Sequence, residues 1–311
     1  MNLIRKMVVQ LRYFLKIASS LNKKFENINR MLDEIKINQG IILTKFNKQK
    51  KSKNIRDFEF KVFSQWGEDG IIQYLISLLE IKNKTFIEFG VEDFFESNCR
   101  FLLMKDDWRG FVIDGSAKNI ERLKSSYFYW KHHLIAKEAF VTKDNINNIL
   151  LESGFDEDLG ILSVDIDGVD YFVLESIISY KPRILIIEYN SVFGSDRKIS
   201  VPYTPNFLRR NIHYSNLYFG ASLAAMTHLA ERKGYALVGV ATAGGNAFFV
   251  RSDLVSDHFQ QRSVAEVFNS SNCRESRDET GNLTYLTGEE RLRAIKGLPV
   301  VNVETGKTEN L

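Results

Sequence analysis

The amino-acid sequence predicts an α/β protein in which a mostly parallel sheet ends in an antiparallel hairpin and is preceded by a long helical arm. Apolar segments of about five residues alternate with amphipathic segments from residue 57 to 252, which is typical of a parallel sheet with crossover helices. Two later apolar segments, Tyr235–Ala241 and Asn246–Arg251, are joined by Thr-Ala-Gly-Gly, which predicts a hairpin. Before residue 50, apolar residues instead recur every three or four positions.

The length of the chain indicates how large a core it can form, and its charge distribution distinguishes the arm from the rest. The chain has 311 residues, of which 44% are apolar, so it can form one large core with appendages. Residues 1–56 hold 14 Lys and Arg against three acidic residues, a net charge of +11, so the other 255 residues carry −8 within a total of +3. A basic arm of this kind is either a solvated helix or a segment that meets a membrane, a polyanion or a neighbouring acidic body.

Cysteine use and hydropathy bear on location. Cys99 and Cys273 show no spacing typical of a disulfide framework or a metal site, which suits a reducing compartment. Residues 1–20 lack the features of a signal peptide, and no stretch of 18 apolar residues occurs. We therefore expect a cytoplasmic protein, with peripheral contact to the inner face of the membrane through the arm as an open alternative.

The arm, residues 1–50, carries a heptad seam over six repeats. Its positions are Ile4, Met7, Leu11, Phe14, Ala18, Leu21, Phe25, Ile28, Leu32, Ile35, Gln39, Ile42 and Phe46. A helix this long without a core of its own is predicted to self-associate as a coiled coil, and the Ile and Leu placement favours more than two strands. An amphipathic helix on the body or on a membrane is the alternative. The body then spans residues 57–252, and residues 253–311 form a polar tail predicted to pack on it.

The body follows a regular order. Strands are predicted at Thr85–Phe89, Arg109–Asp114, His133–Phe140, Ile161–Ile166 and Arg183–Glu188, before the hairpin. Helices are predicted at Trp66–Leu79, Glu96–Lys105, Ala117–Ser125, Asp144–Ser153, Tyr171–Ile178 and Gly220–Lys233. In the tail, one short strand is predicted at Leu298–Val303.

The turn after the first strand predicts an adenosine-containing ligand. In a doubly wound sheet, a carboxylate ending the second strand, here Asp114, can bind both ribose hydroxyls. A dinucleotide site needs G-x-G-x-x-G against a pyrophosphate, whereas this turn has Gly90 followed by Glu92 and Asp93. Carboxylates repel a pyrophosphate but suit a ligand that carries an ammonium and a sulfonium, which indicates S-adenosylmethionine.

A second group of acids follows the fourth and fifth strands. Asp165, Asp167 and Asp170 come after one strand, and Glu188 and Asn190 come after the next. The carboxyl ends of parallel strands meet at one edge of the sheet, where acids are expected at a ligand crevice and rarely help a core.

The combined pattern resembles the FkbM-like family of S-adenosylmethionine-dependent methyltransferases over residues 60–252. The matching motifs are Glu88-Phe89-Gly90, Gly110–Asp114, Asp165–Tyr171, Ile187-Glu188 and Asn246–Val250. Ser163 replaces a usual Lys, Asp167 and Asp170 replace two Glu, and the usual Gly-Ala-Asn-x-Gly turn is missing. The resemblance implies a Rossmann-like methyltransferase fold and O-methylation of a sugar or polyketide, often in surface-polysaccharide biosynthesis.

Cofactor contacts follow from the resemblance and the turn. It implies that Glu88 and Gly90 contact the amino-acid end of S-adenosylmethionine and that Asp114 binds the ribose. The predicted cofactor-binding residues are Gln65, Asp69, Glu88, Gly90, Glu92 and Asp114, with Ala139–Phe140 beside the adenine. For Asp114 the alternative is a turn acid at a helix start.

The catalytic chemistry has two interpretations. In one, Asp165, Glu188 and Asn190 hold Mg²⁺, as in metal-dependent O-methyltransferases, and the cation lowers the pKa of the acceptor hydroxyl. In the other, Asp165 or Asp167 is a metal-free general base. Asp170 is predicted to cap its helix instead.

The irregular stretch between Tyr189 and Phe219 contains further candidates for the acceptor side. His213 can take a proton near neutral pH, with a structural role as the alternative. Stacking on a sugar ring is predicted for Tyr203, Tyr214 and Tyr218, and phosphate binding for Arg209 and Arg210; an ordinary lid is the alternative.

Three functions remain to be compared. The first is an O-methyltransferase acting on a glycan or an activated sugar and assembled through the arm. The second is a nicotinamide-dependent oxidoreductase, against which the single glycine and the terminal hairpin argue. The third is a non-catalytic scaffold, which gives no physical need for acids at three strand ends. No feature points to nucleic acid.

Overall fold

The structure, a computed structural model, describes residues 2–256 and 259–311. Its strands are β1 (Thr85–Phe89), β2 (Arg109–Asp114), β3 (Leu134–Glu138), β4 (Ile161–Val164), β5 (Ile184–Glu188), β6 (Ile199–Ser200), β7 (Tyr235–Val240), β8 (Asn246–Arg251), β9 (Pro299–Asn302) and β10 (Thr308–Asn310). Its helices are α1 (Asn2–Asn47), α2 (Glu68–Leu78), α3 (Arg100–Asp106), α4 (Ala117–Lys124), α5 (Ile146–Leu151), α6 (Asp170–Ser176), α7 (Arg209–Ile212), α8 (Leu223–Arg232), α9 (Val264–Val267) and α10 (Glu289–Ala294).

Seven strands form the main sheet in the order β3-β2-β1-β4-β5-β8-β7. The five strands from β3 to β5 pair in parallel, whereas β8 is antiparallel to both β5 and β7. The chain order reverses between β1 and β4, and a ligand crevice is expected outside the carboxyl ends of the strands at such a switch point. The predicted mixed sheet with a final antiparallel hairpin is confirmed.

The sheet is covered on both faces because side chains alternate along each strand. In β1, Ile87 and Phe89 pack into the cluster that includes residues of α5, α6 and α8. Phe86 faces the opposite cluster, to which α2, α3 and α4 contribute. Because both faces of the sheet are covered, all five residues of β1 are buried.

Helix α3 begins four residues later than predicted, at Arg100 rather than Glu96. The carboxylate of Glu88 accepts hydrogen bonds from the backbone N–H groups of Asn98 and Cys99, at 2.8 and 3.1 Å. The residues before Arg100 therefore form a loop that is tied to the end of β1.

The arm is a single helix, α1, of 46 residues and about 69 Å in length. Its last third docks on the body. Gly40 allows the close approach, because a Cβ there would lie 2.6 Å from both the Phe101 ring and Val62. The buried Asp33 forms a 2.6 Å ion pair with Arg100 and accepts a hydrogen bond from the Tyr127 hydroxyl.

The tail contributes strands to a second sheet, of order β10-β9-β6. It has two strands in place of the single one predicted at Leu298–Val303, because the chain turns at Gly306 and β10 pairs antiparallel with β9. Across residues 2–256 and 259–311, no helix has both the length and the apolar content needed to cross a bilayer.

Candidate functional site

A cavity of about 560 Å³ opens at the carboxyl edge of the parallel strands, at the switch point between β1 and β4. Its wall is built from the segments that follow β1, β2, β3 and β4, together with Phe207, Leu208 and the first residue of β8. This is the place where a doubly wound sheet is expected to bind a ligand.

Gly90 makes the floor of the cavity possible. Its φ is +69°, and a Cβ at this position would lie 1.7 Å from the carbonyl oxygen of Asp165. Only glycine permits both the left-handed backbone and this approach between the ends of β1 and β4. The single glycine of the turn therefore allows the ends of β1 and β4 to pack together. This role is additional to its predicted contact with the cofactor.

Asp114 holds the two turns beside it. One oxygen accepts from the Glu92 N–H at 2.8 Å, and the other accepts from the Ser116 N–H at 2.8 Å and from the Asn119 amide at 3.2 Å. Ser116 is the N-cap of α4, so the alternative role as a turn acid also describes this carboxylate. Since a carboxylate can accept about four hydrogen bonds, capacity remains on the side that lines the cavity.

Glu88 lines the same cavity, and its carboxylate is held from behind. Beside the two backbone N–H groups at the start of α3, the Ser97 hydroxyl donates to it at 2.6 Å. Burial raises its pKa, and these hydrogen bonds lower it in part. The carboxylate thus anchors the loop of residues 92–98, which also lines the cavity.

The lining is strongly acidic. The acids in it are Glu88, Glu92, Glu96, Asp114, Asp165 and Asp167, and no Lys, Arg or His is found among the described residues of this wall. Glu92 and Asp167 both have positive φ values, +48° and +53°, a conformation that non-glycine residues adopt rarely and mainly where the surroundings enforce it. Burial, and then the neighbouring acids, raise the pKa of Glu92.

Asp165, Asp167 and Glu188 come together as predicted from the ends of β4 and β5, with carboxylate oxygens all within 4.8 Å of one another. Asp165 lines the cavity and is half-buried. Burial raises its pKa well above the usual range, Asp167 and Asp170 raise it further, and a hydrogen bond with Glu188 lowers it in part. Burial likewise raises the pKa of Glu188, followed by repulsion from Asp165. Both carboxyls of this pair therefore have raised pKa values.

Asp165, Asp167 and Glu188 form an acid cluster. The guanidinium of Arg209 faces this acid cluster. Its guanidinium donates to Asp167 and to the Asn216 carbonyl at 2.7 Å, and it lies 3.8 Å from the centre of the Phe219 ring. The predicted phosphate-binding role does not fit this arrangement, because the guanidinium is already used to hold Asp167.

Asn246 lines the cavity, and its amide oxygen is buried without a partner among the described residues. Its amide nitrogen donates to Glu68 at 3.1 Å, which orients the side chain, and among the described residues no group donates to its buried Oδ1. Asn246 lies opposite Glu188 in the pairing of β5 with β8. A buried acceptor in a cavity wall points to a ligand that carries a donor.

Three predicted site residues prove structural. Asp69 is buried away from the cavity, where one oxygen accepts from the N–H groups of Val62, Phe63 and Ser64 at 2.7–2.8 Å. Asp69 is not among the residues that line the cavity, so the structure does not place it against the predicted cofactor, whereas Gln65, four residues earlier, does line the cavity.

Asn190 and His213 are the other two predicted site residues that have structural roles. The Asn190 amide donates to the Leu217 and Phe219 carbonyls, both at 2.9 Å, and its oxygen accepts from the Val192 N–H, so it is not placed as a metal ligand. His213 lies outside the cavity lining and its Nδ1 is 2.7 Å from the Ser215 hydroxyl, so it is not placed as a base. Both residues stabilise the loops that follow β5.

The predicted sugar-stacking tyrosines are dispersed. Tyr218 is buried and donates to the Pro299 carbonyl, Tyr203 lies under Lys143 at 4.4 Å, and Tyr214 is exposed beside His213. None of the three lines the cavity, whereas Phe140, predicted beside the adenine, does.

Sequence reasoning missed Asn98 and Asn119, and it used Asn246 only as part of a motif. Asn98 donates to the Ser163 hydroxyl at 3.1 Å and lines the cavity, which joins the loop after β1 to β4. The available signal was the presence of amide and hydroxyl side chains in the segments that follow β1 and β2.

Comparisons with known proteins give fold-level likenesses. The N-terminal domain of EvdMO1, crystallised with SAH bound, is 9% identical, with 60% of this chain and 80% of that one covered and a TM-score of 0.38. A S-adenosylmethionine-dependent methyltransferase from Clostridium acetobutylicum is 7% identical over 59% and 89%, with a TM-score of 0.39. An O-methyltransferase family protein from Burkholderia thailandensis is 11% identical over 69% and 70%, with a TM-score of 0.35.

Neither the protein-family models nor the curated proteins include a match to the chain. The fold is defined by the main sheet itself, in which its last strand along the chain, β8, is inserted antiparallel between β5 and β7. This arrangement, with the ligand cavity at the switch point, is the Rossmann-like methyltransferase fold.

Proposed function

We propose that this protein is an S-adenosylmethionine-dependent O-methyltransferase that acts on a hydroxyl of a glycan or an activated sugar. The observation that carries the proposal is the position of Asp165. A carboxylate with a strongly raised pKa shares one cavity with the nucleoside-type turn formed by Gly90, Glu92 and Asp114. A base beside a cofactor site is what methylation of an unactivated hydroxyl requires.

The lining fits this cofactor better than a nicotinamide dinucleotide. Carboxylates in a described wall that contains no Lys or Arg would repel a pyrophosphate and attract an ammonium or a sulfonium. The orphaned Oδ1 of Asn246 is an acceptor for such an ammonium or for an acceptor hydroxyl. Asp114 would hold the ribose, and Phe140 would lie against the adenine.

The residues of the acid cluster have different roles in the proposed reaction. When bound, S-adenosylmethionine supplies an electrophilic methyl group. Asp165 would take the proton of the acceptor hydroxyl as the oxygen of that hydroxyl receives the methyl group. Glu188 supports Asp165 through their shared hydrogen bond, and Arg209 holds Asp167 at the rim. Most of the rate enhancement then comes from positioning.

The sugar acceptor is supported by the chemistry of the rim. Asp167 and Asn246 offer oxygens that can accept hydrogen bonds from neighbouring hydroxyls of a polyol, and Phe207 and Leu208 provide an apolar edge. Together with the family resemblance, these residues favour a glycan precursor in surface-polysaccharide biosynthesis.

The metal-bound route uses the same acids. Their oxygen spacing suits Mg²⁺, but Arg209 already donates to Asp167, and Asn190 uses its amide elsewhere. We therefore favour the metal-free route. Turnover that is unchanged in EDTA supports it, and a loss that Mg²⁺ restores would contradict it.

The test is methyl transfer from methyl-labelled S-adenosylmethionine to free monosaccharides, nucleotide-activated sugars and polysaccharide fragments. Labelled product and S-adenosylhomocysteine should form together, and Asp165→Asn should slow the formation of both by about 10²- to 10⁴-fold. Tight binding of the cofactor without transfer to any hydroxyl would favour the scaffold interpretation instead.

A further inference from the structure

The first part of α1 stands clear of the body with its apolar seam uncovered. Residues 5–32 are exposed almost throughout, apart from the partly covered Ala18. Ten large seam side chains are between 47% and 66% exposed: Met7, Leu11, Phe14, Leu21, Phe25, Ile28, Leu32, Ile35, Ile42 and Phe46. A free helix with such a seam is marginal in water and needs a partner surface.

The body does not provide that surface, even where it touches α1. The docked third uses a different side of the helix, formed by Asp33, Ile37, Gly40 and Asn47. At 100° per residue these positions lie well over 100° around the helix from Ile35 and Ile42. The seam therefore continues uncovered along the whole of α1.

The period of the seam indicates whether its partner is a second helix or a flat membrane surface. From Ile4 to Phe46 the spacing repeats every seven residues six times. On a straight α-helix such a stripe drifts by about 20° per heptad, or about 120° in total, so it turns away from a plane. A supercoiled partner helix follows the drift and keeps the seam covered along its length.

We infer that α1 is a self-association element, whose seam packs against the α1 seam of a second copy of this chain. Burying each half-exposed side chain would remove roughly 80 Å² from water, so ten from each copy give about 1,600 Å². This is the area of a standard specific interface. The inference is independent of the proposed activity.

The test compares the full-length wild-type chain with two double variants by sedimentation velocity between about 1 and 50 μM. Leu21→Glu with Ile28→Glu places two charges in the seam, on the part of α1 that is free of the body. Ser20→Glu with Asn27→Glu adds the same charge one position earlier, on exposed residues outside the seam. Near-ultraviolet circular dichroism checks that the body stays folded in all three.

We expect the wild type and the Ser20/Asn27 variant to contain at least two chains and the Leu21/Ile28 variant to be monomeric. A monomeric wild type at 50 μM would overturn the inference, as would a Leu21/Ile28 variant that keeps the wild-type mass. Flotation of a monomeric wild type with vesicles of phosphatidylcholine and phosphatidylserine would assign the seam to a membrane surface instead.

Discussion

The carbonyl oxygen of Asp165 lies 1.7 Å from the point where a Cβ atom on Gly90 would be. Gly90→Ala must therefore push the ends of β1 and β4 apart, and it must also place alanine at a φ of +69°. We expect a loss of about 2–4 kcal/mol in the free energy of unfolding and the loss of cofactor binding. Urea denaturation and calorimetry measure the two effects.

Gly245→Ala is the matched control, because nothing lies within 4 Å of a Cβ there and its φ is not left-handed. It should change the stability by less than about 0.5 kcal/mol. If Gly90→Ala behaves like this control, the close contact between the strand ends is not rigid.

Asp114 is expected to carry much of the cofactor affinity. Asp114→Ala removes the predicted ribose acceptor together with the hydrogen bond from the Glu92 N–H. We expect at least a tenfold weaker binding of S-adenosylmethionine, and about 1–2 kcal/mol less stability. Glu121→Ala, which changes an exposed acid on α4, is the control and should bind normally.

Substitutions of Asp165 and Glu188 are expected to differ in their effect on turnover. Asp165→Asn should retain cofactor binding and lower turnover by about 10²- to 10⁴-fold, the contribution of a general base. Glu188→Gln should retain much more activity, because its amide can still donate to Asp165. Normal binding and turnover in both Asp114→Ala and Asp165→Asn would show that the site is assigned wrongly.

The acid limb of the pH profile should report Asp165. The base acts when deprotonated, so kcat/KM falls as the pH drops through its pKa. Because burial and then Asp167 raise that pKa, the limb should lie above the usual carboxylate range. Asp167→Asn removes one repelling charge and should move the limb to lower pH; an unmoved limb would exclude Asp165 as its source.

The buried contact between Asp33 and Arg100 links the arm to the cavity loop. Arg100 is held between the Phe63 and Phe128 rings and also donates to the Phe95 carbonyl at 2.9 Å. Asp33→Ala leaves the Arg100 guanidinium buried without a counter-ion, so we expect the free energy of unfolding to fall by about 3–5 kcal/mol. Hydrogen exchange in residues 92–98 should rise as well.

Glu34→Ala changes the neighbouring exposed acid of α1 and is the control for Asp33→Ala. It should alter neither the stability nor the exchange. Equal effects of the two variants would mean that the net charge of the arm, rather than the ion pair, is what matters.

The sequence predicts much of this fold because its strongest signals are periodic. The strands, the terminal hairpin and the meeting of Asp165 with Glu188 all follow from parallel strands that end at one edge. Asp69, Asn190 and His213 could not be placed, because their partners are groups in loops whose paths no pattern specifies. The late start of α3 has the same origin, since Glu88 captures the N–H groups of Asn98 and Cys99.

The central claim is that the acidic cavity binds S-adenosylmethionine. Calorimetric titration of the wild type with S-adenosylmethionine, S-adenosylhomocysteine and NAD(H), each with EDTA and with Mg²⁺, tests it most directly. We expect micromolar binding of the first two, no binding of NAD(H), and no effect of Mg²⁺. Binding of NAD(H), or no binding of either adenosyl compound by the folded protein, would contradict it.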